Sequence, residues 1–271
     1  MHFGERQIER YARHLILDEV GGAGQAKLLA SKVLVVGAGG LGSPLLLYLA
    51  AAGVGTIGII DDDAVSLSNL QRQIIHTEAG LGRAKTDSAV EAIAALNPDV
   101  SVVAHTERLT IDNAMDIISD YDLVADGSDN FATRFLINDA CYLAKRTLVS
   151  GAILRFDGQV ATFKAHLGDG HPCYRCLHPE PPPPDLIPSC AEGGVLGAIA
   201  GTVGSLQATE VLKELMEIGD SLSGKLLIYD ALGTTFRSVR VKPDPECPLC
   251  GVAPTITDLS SHAGTTSART A

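Results

Sequence analysis

The chain has 271 residues, 46% of them hydrophobic, which is enough to bury the core of one large α/β domain or of two small ones. A formal charge of -11 and a pI near 5.1 exclude broad electrostatic attraction to nucleic acid or to an anionic membrane surface, so neither partner is expected. Any polyanion must therefore be bound by local cations.

The N-terminal segment predicts an amphipathic helix over residues 5–17. Ile8 and Tyr11 recur at helical spacing, whereas arginines, Arg13 among them, occupy other faces. The segment lacks the apolar core of a secretory signal, which predicts that the protein is cytoplasmic. The following run GGAG, residues 21–24, is expected to break the chain before the first strand.

The stretch KVLVVGAGGLGS, residues 32–43, predicts the start of a nucleotide-binding βαβ unit. Its apolar strand ends at a loop matching GxGxxG, where backbone N–H groups can approach a phosphate at a helix N-terminus. A second strand, 56–60, runs into Asp61, the acid that such a unit requires. A glycine-rich turn between two core elements is the alternative. The glycines of the loop are Gly37, Gly39, Gly40 and Gly42.

Strand and helix patterns then alternate as far as residue 146. Helical segments are expected at 81–97, 112–120 and 132–146, and strands at 100–105 and 121–126. This alternation predicts an α/β fold with a doubly wound, mainly parallel sheet over the nucleotide-binding half, residues 32–146.

The second half, residues 147–252, is expected to extend this sheet by antiparallel pairing. Two of its strand-like segments are separated only by a tight turn. Pro181 to Pro184 predicts a stiff crossover, and the apolar stretch 193–208 predicts a buried helix. The segment 253–271 is rich in Ser, Thr and Ala and is expected to be disordered. The ordered part, residues 1–252, is therefore predicted to be a single domain.

Two CxxC pairs in the second half predict a metal site. They are Cys173 with Cys176 and Cys247 with Cys250. Four thiolates suit tetrahedral Zn²⁺ and leave no open coordination position, so the zinc would be structural and would clamp the C-terminal segment onto the domain. A redox dithiol or two unrelated pairs are the alternatives. Cys141, inside an apolar helix, is expected in the core.

Polar side chains gather after the second strand, where ligands of open α/β sheets bind. Arg72 offers a bidentate fork and Lys85 a point charge for β and γ phosphates, and Asp129 is the kind of ligand that Mg²⁺ prefers. An NAD-dependent dehydrogenase needs the loop and the acid but not these cations. Taken singly, Arg72 could form a surface ion pair, Lys85 could be a solvated residue of the first helical turn, and Asp129 could be a helix N-cap.

The segments RYARHL, GAGGLGS, DDDxVxLSNLQRQ, GRAK, DGSDN and SCAEGG, together with the CxxC pairs, occur in this order over nearly the whole chain. In this combination the chain resembles the MoeB/ThiF family, bacterial relatives of ubiquitin-activating enzymes. The resemblance implies a Rossmann-like ThiF-type adenylation domain. It also implies an adenylyltransferase that uses ATP to activate the C-terminal glycine of a small ubiquitin-like sulfur carrier, MoaD- or ThiS-like and ending in Gly-Gly, with release of pyrophosphate.

The competing interpretations are an NAD-dependent oxidoreductase and a non-catalytic, zinc-stabilised scaffold that only holds nucleotide. The resemblance implies that Asp61 contacts the ribose and that Asp129 holds Mg²⁺, while Asn69, Arg72 and Lys85 contact the phosphates. The nucleotide-binding set is then Gly37, Gly39, Gly40, Gly42, Asp61, Asp63, Asn69, Arg72, Gln73, Lys85, Asp129 and Asn130.

By the same resemblance, Arg13 matches the arginine that such enzymes insert into the neighbouring subunit's site, so a homodimer is expected. Cys190 either links covalently to the activated carrier or is an inert buried thiol. The chain ends without the length for a sulfurtransferase domain, and a separate sulfurtransferase or cysteine desulfurase is expected as sulfur donor. Carriers of molybdopterin, thiamine, cysteine and tRNA thiolation pathways are all compatible with the motifs.

Overall fold

The computed structural model describes residues 3–168, 170–182 and 193–263. The strands are β1 (Lys32–Val36), β2 (Thr56–Ile60), β3 (Ser101–His105), β4 (Leu123–Asp126), β5 (Thr147–Leu154), β6 (Asp157–Phe163), β7 (Lys225–Asp230) and β8 (Thr235–Arg240). The helices are α1 (Glu5–Leu15), α2 (Gly21–Ala30), α3 (Gly42–Ala52), α4 (Lys85–Leu96), α5 (Ala114–Ser119), α6 (Phe131–Leu143), α7 (Tyr174–Leu177) and α8 (Gly197–Met216).

The strands form one sheet in the order β3-β2-β1-β4-β5-β6-β7-β8. The pairs β3–β2, β2–β1, β1–β4 and β4–β5 are parallel, as the alternation of strands and helices predicts. Chain order reverses between β1 and β4, and this reversal is the point at which open α/β sheets bind ligands, beyond the carboxyl ends of the strands. We call it the switch point.

The other half of the sheet is antiparallel, which confirms the predicted extension. Strand β5 pairs with β6 through a two-residue turn, since Leu154 lies opposite Asp157. Arg155 in this turn has φ +55°, the left-handed conformation that tight hairpins require. Strands β7 and β8 continue the antiparallel order to the edge of the sheet.

Helices cover both faces of the parallel half because β1 is apolar on both faces. Val33 and Val35 belong to a core that includes side chains of α3, α4 and α8, whereas Leu34 and Val36 belong to a second core with α5 and α6. Helix α8 crosses close to the start of α3 at Gly204, where an added Cβ would lie 2.5 Å from the Leu41 carbonyl oxygen. The first half of α8 coincides with the predicted buried helix.

Two expectations are wrong. The glycines 21–24 do not break the chain but begin α2, because Gly24 lets this helix pack closely against Met216 of α8. The tail is not disordered over residues 253–263, where Leu259 and His262 are both buried. Pro183 and Pro184 of the predicted crossover, and residues 264–271, lie outside the described residues. Within the described ranges, no helix combines the length and apolarity that a bilayer crossing requires.

Candidate functional site

The glycine loop, residues 37–42, leaves the carboxyl end of β1 at the switch point and leads into α3. Gly37 has φ +91°, a conformation that glycine adopts without steric cost. A Cβ on Gly42 would lie 1.9 Å from the Gly37 carbonyl oxygen, so no larger residue fits there. The loop therefore needs glycine at Gly37, where the chain turns, and at Gly42, which packs against the Gly37 carbonyl group.

Backbone donors of this loop are available to a ligand. The N–H groups of Gly39 and Gly40 donate to no acceptor among the residues that the structure describes. They lie at the N-terminus of α3, where the aligned peptide dipoles favour an anion. An added Cβ on Gly40 would lie 3.3 Å from the Ala200 Cβ, so a side chain would also narrow the opening. The loop can thus donate hydrogen bonds to a phosphate.

Asp61 follows β2 and ties this strand to the glycine loop. Its Oδ2 accepts a hydrogen bond from the Ala38 N–H at 2.8 Å, and its Oδ1 accepts one from the Asp63 N–H at 2.9 Å. Burial raises the pKa of Asp61, against the opposing effects of Lys85 and of these two hydrogen bonds. The carboxylate expected to contact a ribose therefore also holds the loop, and each oxygen can still accept another hydrogen bond.

Lys85 begins α4 and points toward the same acidic segment. Its side chain is buried, only 5% exposed, and its Nζ lies 2.7 Å from Asp63 Oδ2. Its backbone N–H donates to the Asp63 carbonyl oxygen at 3.0 Å. The alternative of a solvated first-turn lysine is therefore wrong. Lys85, Asp61 and Asp63 form one charged group beside the glycine loop.

Arg72 and Gln73 lie against the glycine loop. Added Cβ atoms on Gly40 and Gly39 would each lie 3.6 Å from these residues, the first from Arg72 Cγ and the second from Gln73 Nε2. An Arg72 guanidinium nitrogen, Nη1, donates to the Ser68 carbonyl oxygen at 3.1 Å, and the described chain supplies it with no ion-pair partner. Gln73 is buried, and its Oε1 has no hydrogen-bond partner in the described ranges. Both side chains can therefore serve a ligand at the loop.

Asn69 shapes the turn that carries these two residues. Its carbonyl oxygen accepts hydrogen bonds from the Arg72 and Gln73 N–H groups at 3.1 and 3.0 Å. Its side chain makes no hydrogen bond to other described residues. The predicted contact of Asn69 with a phosphate stays a prediction.

The segment after β4 also reaches the glycine loop. The Gly127 carbonyl oxygen lies 3.2 Å from the position of an added Cβ on Gly37. Asn130, and not Asp129, caps α6, because its Oδ1 accepts a hydrogen bond from the Thr133 N–H at 2.9 Å. The N-cap alternative for Asp129 is therefore wrong. Asp129 is exposed, and its carboxylate has no hydrogen-bond or ion-pair partner within the described chain.

Two buried residues of this site were missed by sequence reasoning. Asp126 accepts hydrogen bonds from the Ser128 N–H at 2.8 Å and from Ser150 Oγ at 3.0 Å. His76 lies between the glycine loop and α4 and is 5% exposed. Both residues lie within or beside motifs whose interpretation was based on more polar neighbouring residues. Their only local signal is a titratable residue beside an apolar run.

Arg13 lies far from the glycine loop of this chain. Helix α1 is anchored at the amino ends of the strands, where Tyr11 Oη accepts a hydrogen bond from Asn97 Nδ2 at 2.9 Å and Arg10 donates to the Leu96 carbonyl oxygen. The glycine loop lies at the opposite, carboxyl ends, about 16 Å away along strands of this length. Arg13 itself is exposed. Arg13 therefore does not reach the glycine loop within this chain.

The four CxxC sulfurs converge, although the pairs are distant in sequence. Cys173 lies 3.9 Å from Cys176 and 3.5 Å from Cys247, and Cys250 lies 3.4 Å from both Cys173 and Cys176. Tetrahedral Zn²⁺ with thiolates at about 2.3 Å separates its sulfurs by about 3.8 Å. The cluster therefore fits a zinc ion held by four cysteines.

The remaining cysteines differ from this cluster. Cys141 is buried in α6, and burial raises the pKa of its thiol well above the ordinary value, as expected for a core residue. Cys190 lies outside the described residues, so its two interpretations stay open.

In a comparison with known protein families, residues 11–249 of this chain match the ThiF family. A relative from Thermus thermophilus, named a sulfur carrier protein adenylyltransferase, is 51% identical over 97% of both chains. A relative from Bos taurus, named adenylyltransferase and sulfurtransferase MOCS3, is 52% identical over 94% of this chain, which spans 56% of that longer protein.

Solved structures support the fold. The crystal structure of Escherichia coli MccB with ATP aligns with a TM-score of 0.74 and 19% identity, over 92% of this chain and 82% of that one. At this identity the likeness concerns the fold alone, a mixed α/β sheet of Rossmann-like type, as predicted.

Proposed function

Because the chain belongs to the ThiF family, we propose that it is an ATP-dependent adenylyltransferase that activates the C-terminal glycine carboxylate of a small ubiquitin-like sulfur carrier. The named activity of the Thermus thermophilus relative, which matches along nearly its whole length, supports this assignment. The observation that carries it is local: a glycine loop with open N–H groups adjoins a buried lysine and an arginine without an ion-pair partner among the described residues.

The reaction fits a site without a general base. A terminal carboxylate has a pKa of about 3.5 and is ionised at neutral pH, so it can attack the α-phosphate directly. The bond from the carboxylate oxygen to phosphorus forms as the bond to the β-phosphate oxygen breaks, which gives an acyl-adenylate and pyrophosphate. The activation barrier arises because two anions, the carboxylate and the triphosphate, must come together and a third, pyrophosphate, must leave. Cations aimed at this charge contribute about 3 kcal/mol each where they are well placed.

In this proposal the phosphates receive hydrogen bonds from the loop. The Gly39 and Gly40 N–H groups bind phosphate oxygens, Arg72 adds a bidentate fork, and Lys85 adds a buried charge. Lys85 is paired with Asp63, so a phosphate must share or replace that partner. The Asp63 side chain is 67% exposed, so solvent can replace Lys85 as the partner of this carboxylate. Gln73 Oε1 has no hydrogen-bond partner among the described residues and can accept a hydrogen bond from a donor group of the bound ligand.

We propose that Asp129 holds Mg²⁺ together with the phosphates. Its carboxylate has no competing protein partner among the described residues, and carboxylate with phosphate oxygens is the ligand set that Mg²⁺ prefers. When bound, the ion would neutralise charge on the departing pyrophosphate. A matched pair of variants, Asp129→Asn and Asp116→Asn at an exposed position of α5, separates this role from a general loss of surface charge.

We also propose a homodimer in which Arg13 serves the partner's site. Support comes from the position of α1 at the amino ends of the strands, from which Arg13 cannot reach its own glycine loop. For the cysteine cluster we propose structural Zn²⁺, because four thiolate ligands complete a tetrahedral shell. Thiolate ligands persist in a reducing compartment, which supports a cytosolic location.

The decisive experiment is carrier-dependent ATP–pyrophosphate exchange. The wild-type chain should exchange label between pyrophosphate and ATP with a carrier that ends in glycine, and not with the same carrier lacking its final residue. Lys85→Met should lower the rate by about 100-fold, the loss expected for one well-aimed cation. Lys27→Met removes a lysine from an exposed ion pair with Glu217 and should leave the rate unchanged.

Other outcomes identify the alternatives. Binding of NAD in preference to ATP would indicate an oxidoreductase. Bound ATP without exchange, whichever glycine-terminated carrier is supplied, would indicate a nucleotide-holding scaffold. For Cys190, a carrier adduct that reductant removes and that Cys190→Ser abolishes would establish a covalent link, and exchange without such an adduct would leave adenylation alone.

A further inference from the structure

His76 is a buried side chain that joins three parts of the nucleotide site. It stands in the polar segment that carries Arg72 and Gln73, and it contacts both the glycine loop and α4. Its Nε2 lies 2.8 Å from the Ala38 carbonyl oxygen, and its Nδ1 lies 2.9 Å from Ser88 Oγ. Ser88 is close to Lys85 in the first turns of α4. One imidazole therefore links the glycine loop, the segment that carries Arg72 and Gln73, and the start of α4.

The contacts determine the tautomer of His76. A carbonyl oxygen can only accept, so Nε2 must carry the proton and donate it to Ala38. Burial lowers the pKa of His76, with Lys85 adding to this effect while the Ala38 hydrogen bond and Asp61 oppose it, and the ring stays neutral near pH 7. A neutral ring leaves Nδ1 as the acceptor, and Ser88 Oγ donates to it.

The hydrogen bond to Ala38 also sets the direction of the next N–H group. The Ala38 carbonyl and the Gly39 N–H belong to one planar trans peptide, in which they point in opposite directions. Asp61 holds the preceding peptide through the Ala38 N–H. With both planes fixed, the Gly39 N–H points away from His76, and no described residue accepts its hydrogen bond.

We propose that His76 is a positioning residue: by holding the Ala38 carbonyl, it aims the Gly39 N–H at the nucleotide's phosphates. This inference rests on the proposed function for the nucleotide but assigns a role to a side chain that touches neither substrate. Glycine residues on both sides of Ala38 give this backbone little stiffness of its own. The orientation of the donor is therefore set by the imidazole and by Asp61.

Two substitutions separate the two hydrogen bonds of the ring. Glutamine places its Nε2 the same number of bonds from Cα as histidine does, so His76→Gln can still donate to Ala38. Asparagine ends one bond earlier, at the distance of Nδ1, so His76→Asn keeps only the Ser88 contact. The two variants have the same functional group, and only one of them can hold the loop.

Titration of the whole chain with α,β-methylene ATP tests the proposal. His76→Asn should weaken binding roughly tenfold through loss of a buried hydrogen bond, whereas His76→Gln should stay within about twofold of wild type. In exchange assays the KM for ATP should rise in the asparagine variant while the KM for the carrier stays constant. His105→Asn removes the hydrogen bond between the His105 and Tyr121 side chains and keeps the backbone of His105, so it should change neither constant.

A spectroscopic measurement tests the geometry without any ligand. Nitrogen-15 spectra at neutral pH should show His76 neutral with its proton on Nε2, and the Gly39 amide resonance should shift in His76→Asn more than in His76→Gln. A ring that carries its only proton on Nδ1 would overturn the proposal, because Nε2 could then not donate to Ala38. So would equal nucleotide affinity of the two variants. Failure of the wild-type chain to bind ATP at all would instead refute the proposed function, and the ring measurement would still decide the geometry.

Discussion

Asp139 is a fully buried carboxylate in α6 and is surrounded by donors from distant parts of the chain. Arg175 beside the cysteine cluster donates to both of its oxygens, at 2.8 and 2.7 Å for the shortest contacts, and His262 Nε2 lies 2.8 Å from Oδ2. Burial opposes the charge of Asp139, but the hydrogen bonds of His262 and Arg175 outweigh it and hold its pKa below the ordinary value. This one carboxylate joins α6, α7 and the C-terminal segment.

Asp139→Asn should lower the free energy of unfolding by about 3 kcal/mol at pH 7, because it leaves the Arg175 charge buried without its partner. A depressed folded pKa stabilises the protein above the unfolded value of about 3.8, and this stabilisation is lost as the pH falls through the lower folded value. The difference between wild type and variant should therefore shrink below pH 3.8. Urea unfolding at several pH values measures it.

The control for this prediction is Asp116→Asn, which removes an exposed carboxylate from the first turn of α5. It should cost less than about 1 kcal/mol, the usual size of a helix-dipole effect. A constant difference between wild type and Asp139→Asn across the acid range would contradict the assigned ionisation of Asp139.

At the scale of single elements, one glycine of the glycine loop cannot accept a side chain, whereas one glycine of α8 can. Gly42→Ala should abolish nucleotide binding and destabilise the fold, because its Cβ would overlap the Gly37 carbonyl oxygen at 1.9 Å. Gly201→Ala, inside α8, meets no atom within 4 Å and should stabilise the helix by about 0.5–1 kcal/mol. Thermal unfolding and ATP titration of the two variants test this contrast, which similar effects of both substitutions would contradict.

The cysteine cluster joins the segment around α7 to the C-terminal segment, and the same two segments also meet at Asp139. Chelation should release zinc and selectively loosen residues 170–182 and 241–263, while the parallel half keeps its core. Cys247→Ser should reproduce the effect, whereas Cys141→Ser, at a core thiol outside the cluster, should retain the metal. Metal analysis combined with limited proteolysis measures both. Cleavage that starts in the parallel half would argue against a local role of the cluster.

At the scale of the whole molecule, the position of α1 makes the proposed dimer testable through activity. Arg13→Ala and Lys85→Met homodimers should each be nearly inactive in pyrophosphate exchange. When the two variants are mixed and allowed to exchange subunits, each mixed dimer contains one site with both wild-type residues. The mixture should therefore recover roughly a quarter of wild-type activity, as random pairing of a twofold dimer requires.

Lack of recovery, in a mixture where subunit exchange is verified by mass, would show that Arg13 acts in its own subunit. Full activity of Arg13→Ala alone would show that Arg13 has no role in the reaction. Arg6→Ala on the same exposed helix is the matched control and should keep full activity alone.

The sequence predicted those features whose signal is local. Each of β1 to β5 is a short apolar run, and the glycine loop is a fixed spacing, so both were visible without the fold. The GGAG prediction failed because local glycine preference favours a break, whereas packing of Gly24 against Met216 favours the helix. Composition likewise suggested disorder after residue 252, although Leu259 is buried in the second core.

Contacts across long separations were not predictable from the sequence. The hydrogen bond from His76 to Ala38 joins residues 38 positions apart, and the contact of His262 with Asp139 joins residues 123 positions apart. No periodicity encodes such pairs, because each depends on how several elements meet. The charged residues at the glycine loop were assigned from chemistry and family likeness, and only the fold brought Lys85 beside Asp61 and Asp63.

The burial of Leu259 and His262 has a practical consequence for anyone who shortens this chain. A clone that stops at residue 252 would expose an apolar flank and take one donor away from an enclosed anion. Such a product should precipitate more readily and tolerate acid less well than the 271-residue chain. An affinity tag should therefore follow residue 271 rather than replace residues 253–263.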